Sequence, residues 1–245
     1  MSENLTSGLV RRFEPNLLGR DFTVGDVHGH FELLEALLRR LRFNTKRDRL
    51  FPVGDLVDRG PYSSGVLEWL SKSWFHPVRG NHEQMMIDSV LHDDDARSHR
   101  RNGGEWAYGL RADERREIAE RLDELPIAIE IALPDGGAVG IIHAQAPFLN
   151  RNAPWSMGVE ALEGKHGKAI QQVAVNEALW SRSRIQSQDR TPVEGVRTLY
   201  VGHSSVREVM QLGNTAYIDT GCGYEGGKLS LVEIGTNAVA SVEVE

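Results

Sequence analysis

The chain has 245 residues, 40% of them hydrophobic and 26% charged, with a formal net charge of -7. That balance fits an ordinary α/β globular domain and excludes general attraction to nucleic acid or to an anionic membrane, so the arginines at 39, 40 and 42 and from Arg97 to Arg101 read as solvated helix faces. Cys222 is the only cysteine, which excludes an intramolecular disulfide; with no signal-peptide succession and no apolar run near the ~20 residues that span a bilayer, a cytoplasmic setting without membrane anchoring is expected.

Residues 1–20 read as a polar lead-in, and a single domain is expected over 21–245. Phe22 to Val24 predicts a strand, Phe31 to Leu41 an amphipathic helix, Leu50 to Val53 a strand, Val66 to Leu70 a helix and Pro77 to Arg79 a third strand. This strand–loop–helix alternation implies parallel pairing, with ligands gathered beyond the carboxyl ends of the strands. Glu83 to Leu125 is mainly helical, interrupted at Asn102-Gly103-Gly104 and followed by Trp106, and is expected to cover the site. Ile127 to Leu133 and Ala138 to Ile142 predict a hairpin turning at Asp135-Gly136-Gly137. Residues 144–165 show little periodicity, and Ala169 to Leu179 returns to a helix. Strands are expected at Thr198 to Val201, Val209 to Leu212, Ala216 to Ile218, Leu229 to Ile234 and Val239 to Val244. The fold class that follows is α/β, with two packed mixed sheets flanked by helices.

Three segments carry chemistry: Gly25-Asp26-Val27-His28-Gly29, Gly54-Asp55-Leu56-Val57-Asp58-Arg59-Gly60 and Gly80-Asn81-His82-Glu83. A single Gly-Asp after a strand is usually a turn, because aspartate bonds its own backbone there. Three such segments in order, each following an apolar stretch, point instead to side chains converging from strand-end loops. His143, after Val139-Gly140-Ile141-Ile142, and His203, after Tyr200-Val201-Gly202, repeat the placement. Asp26, His28, Asp55, Asn81, His143 and His203 together supply the carboxylate, imidazole and amide donors of a dinuclear divalent metal site. His76, His92, His99 and His166 lack that setting and read as surface or packing residues. Cys222 lacks the Cys-x5-Arg arrangement of a thiol phosphatase.

These residues resemble the phosphoprotein phosphatase family, in particular its small bacterial and bacteriophage lambda-type members, over roughly residues 21–234. Asn102-Gly103-Gly104-Glu105-Trp106 and Leu179-Trp180-Ser181-Arg182 are similar to further segments of that group. The resemblance implies one metal on Asp26, His28 and Asp55 and another on Asp55, Asn81, His143 and His203, with Asp55 bridging and manganese as the expected ion, although these donors also accept iron, zinc or cobalt. It implies that Arg59 binds phosphate, that Arg182 is a second clamp with Arg184 as the competing candidate, and that His82 and Asp58 form an acid dyad. The chemistry agrees: two cations about 3.5–4 Å apart activate a shared water for in-line attack, a guanidinium offers a bidentate fork, and an imidazolium can protonate a leaving alkoxide. The expected activity is hydrolysis of phosphoserine and phosphothreonine, with phosphotyrosine also admitted, and the expected partners are phosphorylated proteins or peptides. A diadenosine-tetraphosphate hydrolase is the alternative within the fold, but such relatives usually lack the Asp58 position. A non-catalytic scaffold would be expected to have lost some of these ligands or the acid.

Overall fold

Ten strands, drawn from both halves of the chain, build two sheets among the residues described by the computed structural model, 8–148 and 153–244. In chain order they are β1 (Val10–Phe13), β2 (Asp21–Val24), β3 (Arg49–Pro52), β4 (Ala128–Ala132), β5 (Ala138–Ile142), β6 (Leu199–Val201), β7 (Met210–Leu212), β8 (Thr215–Tyr217), β9 (Lys228–Glu233) and β10 (Val239–Glu243). The helices are α1 (Phe31–Arg40), α2 (Val66–Leu70), α3 (Asn81–Leu91), α4 (Arg97–His99), α5 (Glu105–Tyr108), α6 (Ala112–Asp123), α7 (Trp155–Leu162), α8 (Lys168–Trp180) and α9 (Ser183–Ser187). One sheet runs β1-β4-β5-β6-β8-β7 and the other β10-β9-β2-β3, and each mixes parallel with antiparallel pairs.

The period-2 alternation of side chains divides the core into three layers. Phe51, Ile129, Ile131, Ile141, Tyr200 and Val232 point between the sheets and fill the space there. On the other face of the six-stranded sheet, Ala128, Ile142 and Leu199 pack with Trp155, Leu162 and Leu179 of α7 and α8. Phe22, Val24, Leu50 and Leu231 meet the buried stripe of α1, which is Phe31, Leu34, Leu37 and Leu38. Burying Leu34 and Leu37 alone contributes roughly 3–6 kcal/mol against leaving them in water.

Several sequence expectations need correction. Val10–Phe13 is not lead-in but an edge strand, parallel to β4 with Val10 opposite Ala128; residues 1–7 lie outside the described residues. Pro77 to Arg79 forms no strand. It lies beside β3, with Val78 N–H donating to Pro52 O at 3.0 Å and a single bridge at Leu50 and Phe75, but Pro52 and Pro77 both lack an N–H and the ladder cannot continue. The aperiodic stretch 144–165 contains α7; four of its residues, 149–152, lie outside the described set. Trp155, Gly158, Val159, Ala161 and Leu162 bury most sides of that helix, so no polar face marked it. The strands after residue 198 do not form one sheet: β6, β7 and β8 extend the sheet of β5, whereas β9 pairs with β2 and β10 lies outside β9.

Candidate metal centre

The loops after β2, β3, β5 and β6, with the start of α3, meet at one rim of the two sheets, as expected for the carboxyl ends of strands. Backbone hydrogen bonds lock the first two loops: Val27 and His28 N–H both donate to Asp55 O, at 3.0 and 2.8 Å, and Gly29 N–H donates to Leu56 O at 2.8 Å. The third is tied in by Glu83, fully buried, whose Oε2 accepts from Gly80 N at 2.7 Å and Asp55 N at 2.8 Å while Oε1 accepts from Leu56 N at 2.7 Å. Tight turning puts His28, Asp55, Asp58, Arg59 and His203 at positive φ, between 45° and 72°, a region that L-residues occupy at a cost.

Asp55 sits at the centre. Donor atoms of His28, Asp55 and His82 lie within 4.8 Å of one another, as do those of Asp55, His143 and His203. Asn81 Oδ1 lies 2.9 Å from His143 Nε2 and 2.8 Å from His203 Nδ1. Asp26 does not enter either triad; its two carboxylate oxygens accept the backbone N–H of His203 at 3.2 and 3.1 Å. All six sequence-selected ligand candidates are buried in this cluster.

The second nitrogen of each candidate imidazole is occupied by backbone. His28 Nδ1 bonds Val57 O at 2.9 Å, His143 Nδ1 bonds Val53 O at 2.8 Å and His203 Nε2 bonds Trp180 O at 3.2 Å. Donation to those carbonyls leaves the site-facing nitrogen with its lone pair, the tautomer that coordinates a cation. Burial pushes His28 and His203 down to about 3, and it also lowers His143, so these rings are neutral at pH 7. Asp26 is raised well above the carboxylate range by burial and by neighbouring Asp219 and Asp55. Burial acts the same way on Asp55, but His143, His82, His28 and a backbone N–H outweigh it and hold the carboxyl low. Neutral imidazoles around crowded, buried carboxylates are a donor set suited to borderline divalent cations.

Above the cluster opens a polar cavity of about 600 Å³, bounded by Arg59, His82, Asn102, Trp180, Arg182 and Tyr224 among others. Arg59 places Nη1 2.7 Å from His28 Nε2 and Nη2 3.0 Å from His82 Nε2, with its guanidinium 4.8 Å from the Tyr224 ring centre. Its backbone N–H donates to Gly103 O at 3.2 Å. Gly103 has φ 101°, and a Cβ there would lie 2.7 Å from Arg59 N, so this contact requires glycine. Arg182 lines the cavity and donates from Nη1 to His203 O at 2.7 Å. Arg184 is buried elsewhere, with Nη2 on the carbonyls of Leu212, at 2.9 Å, and Thr191.

His82 Nδ1 lies 2.7 Å from Asp58 Oδ2, both groups being buried, and its Nε2 faces the cavity. Burial opposes the imidazolium, yet Asp55 and Asp58 outweigh it and raise His82; hydrogen bonds from His82 and His99 likewise hold Asp58 low against burial. The assignment of His99 to surface or packing is therefore incomplete: its Nε2 is 3.1 Å from Asp58 Oδ1. Glu83 and Tyr224 were also missed. Glu83 stood next to a selected pair in the sequence, whereas nothing local marked Tyr224. Cys222 is buried, and burial raises its thiol pKa far from any reactive thiolate.

Comparison with known proteins agrees with this geometry. The chain is 34% identical over 230 residues to Serine/threonine-protein phosphatase 1 of Salmonella typhimurium, covering 92% of this chain and 97% of that one. It is 34% identical over 219 residues to Serine/threonine-protein phosphatase 2 of Escherichia coli K12, covering 87% and 92%. A solved structure described as a candidate diadenosine tetraphosphatase superposes with a TM-score of 0.65 at 25% identity, covering 96% of this chain and 98% of the other. The model of the calcineurin-like phosphoesterase family matches residues 23–227, and with whole-length relatives alongside it, this chain belongs to that family.

Proposed function

We propose that this chain is a metal-dependent phosphoprotein phosphatase that hydrolyses phosphoserine and phosphothreonine, with phosphotyrosine as a further substrate. The observation that carries the reading is the buried Asp58–His82 pair, which opens beside Arg59 onto a polar cavity floored by carboxylates and imidazoles. Whole-length similarity to proteins named as serine/threonine phosphatases supports the substrate class. Asp26, His28 and Asp55 would hold one cation, and Asp55, Asn81, His143 and His203 the other. When bound, the two cations supply an activated water and neutralise charge at phosphorus; manganese is the ion we assign, and iron, zinc and cobalt suit the same donors.

The chain's own groups do the rest. Arg59 and Arg182 grip phosphoryl oxygens through forked N–H groups and meet the charge that spreads over them in the transition state. His82 gives its Nε2 proton to the departing seryl or threonyl oxygen as the P–O bond breaks, while Asp58 holds the ring by Nδ1–H and favours its charged form. We take β1 and residues 21–245 as one domain, and the bacterial relatives and single cysteine support a bacterial or phage cytoplasmic setting. The acidic chain has phosphoproteins as its partners, not nucleic acid or membrane.

Similarity to a candidate diadenosine tetraphosphatase favours a second reading, against which the Asp58–His82 pair counts. One manganese-loaded sample offered a phosphoserine peptide, a phosphotyrosine peptide and diadenosine tetraphosphate decides between them. Phosphate release from the phosphoserine peptide, abolished by chelator, is expected. Turnover of the dinucleotide alone, or full turnover by metal-stripped protein, would overturn the proposal.

A further inference from the structure

Asp58 is the buried hub of a hydrogen-bond circuit whose far side, half-buried at Trp106, Tyr108 and Ser89, has no part in the chemistry above. Its Oδ2 faces His82, while Oδ1 receives the indole Nε1–H of Trp106 at 2.8 Å and lies 3.1 Å from His99 Nε2. His99 Nδ1 is 2.9 Å from the Tyr108 hydroxyl, which is 2.8 Å from Ser89 Oγ. Ser89 and His82 both belong to α3, so the circuit leaves that helix at its first turn and returns to it two turns later. The segment between is shaped for this: a Cβ on Gly104 would lie 2.2 Å from His99 Cδ2 and Nε2, so the ring fits against Asp58 only because residue 104 has none. We propose that His99 and Trp106 are positioning residues for proton donation, fixing the Asp58 carboxylate so that His82 Nε2 is aimed at the leaving oxygen. The inference rests on the reading of His82 as the acid.

The physical ground is the directionality of a carboxylate. A buried carboxylate held on one oxygen alone can turn about Cβ–Cγ, and its partner imidazole turns with it; two N–H donors on the second oxygen remove that freedom. A residue acting in this way should matter in proportion to how much the leaving group needs a proton. Manganese-loaded His99→Leu, His99→Gln and Trp106→Phe are compared with wild type on a phosphoserine peptide and on 4-nitrophenyl phosphate, whose phenolate leaves unaided. General acid catalysis is typically worth ~10²–10⁴-fold, so His99→Leu and Trp106→Phe should each lower kcat on the peptide about tenfold more than on the nitrophenyl ester, with KM kept. His99→Gln retains a donor near the Nε2 position and should recover most of the loss. In a His82→Asn background the same changes should add nothing.

A second arm needs no turnover. In chelated, nitrogen-15-labelled protein, the low-field Nδ1 proton of His82 should be seen in wild type and His99→Gln and be broadened away in His99→Leu and in Trp106→Phe, which keeps an aromatic ring but lacks the N–H that bonds Asp58. Equal slowing of both esters, additive losses with His82→Asn, or an unchanged His82 proton in His99→Leu and Trp106→Phe would each overturn the proposal. If wild type cleaves neither ester, the phosphatase reading falls, and the proton spectrum still decides whether His99 and Trp106 hold the pair.

Discussion

Replacing Glu83 by glutamine tests whether the ligand loops are held by this one buried carboxylate. Its two oxygens accept three short backbone bonds, from Gly80, Asp55 and Leu56, at 2.7–2.8 Å. The glutamine NH2 cannot accept, so at least one and at most two of these N–H groups are orphaned, whichever way the amide is turned. At ~1–3 kcal/mol for each buried donor left unmade, the loss is roughly 1–6 kcal/mol, a large part of the ~5–15 kcal/mol that holds a domain together. With a urea m-value near 3 kcal/mol/M, the chelated variant should unfold roughly 0.3–2 M earlier than wild type. The lost bonds belong to Asp55 itself and Gly80, or to Leu56 next to Asp55, depending on which oxygen the NH2 replaces, so manganese affinity should fall about 10–100-fold, the usual cost of disturbing a group that orients a ligand. Added manganese should then raise the urea midpoint of the variant by less than it raises that of wild type. Circular dichroism in chelator and in a fixed manganese excess reads both effects. An unchanged chelated midpoint together with an unchanged manganese response would refute the reasoning.

Asp55→Asn should be the most damaging of the ligand changes, lowering the content of both metals where Asp26→Asn or His203→Asn lowers chiefly one; two fully bound metals in Asp55→Asn by elemental analysis would remove Asp55 from the bridging position. Arg59→Ala and Arg182→Ala should raise KM and lower kcat while metal binding survives, whereas Arg184→Ala should lower Tm with kinetics kept, and steady-state rates beside melting curves separate the two outcomes. His82 is raised above its usual pKa, so its acid form is complete below that pKa and is lost as pH rises through it; peptide turnover should therefore fall on the alkaline side more steeply than nitrophenyl ester turnover, and a pH–rate profile with the same alkaline limb in His82→Asn would assign that limb elsewhere.

The parts of this architecture that were legible from sequence are those written in local pattern. Val66–Leu70 forms a helix with the expected limits, the hairpin of β4 and β5 turns at the expected glycines, and the strand-end rule brought Asp26, His28, Asp55, His143 and His203 to one rim, where Asn81 joins them from the start of α3 and not from a strand end. Non-local pairing was not legible. Val10 finds its partner at Ala128, and arginines 11 and 12 hide an edge strand whose partly solvated positions need not be apolar. No periodicity says whether β8 or β9 enters a given sheet. His99 joins Asp58 across 41 residues, with no motif to tie it to the dyad. Arg182 and Arg184 stand two residues apart at the start of α9, about 200° around a helix, which is why one faces the cavity and the other the core.

The left-handed backbone at His28, Asp55, Asp58, Arg59 and His203 sets thermal tolerance against turnover. Each such residue costs on the order of 1 kcal/mol, so the five together withhold about 5 kcal/mol from the fold. Glycine at Asp58 or Arg59 would relax the chain there, with part of the gain returned as extra freedom in the unfolded state. Selection for abundance or heat resistance alone would thus erode the site first, yielding sturdier proteins that no longer turn over substrate, and a screen for stabilised variants should keep these five positions fixed.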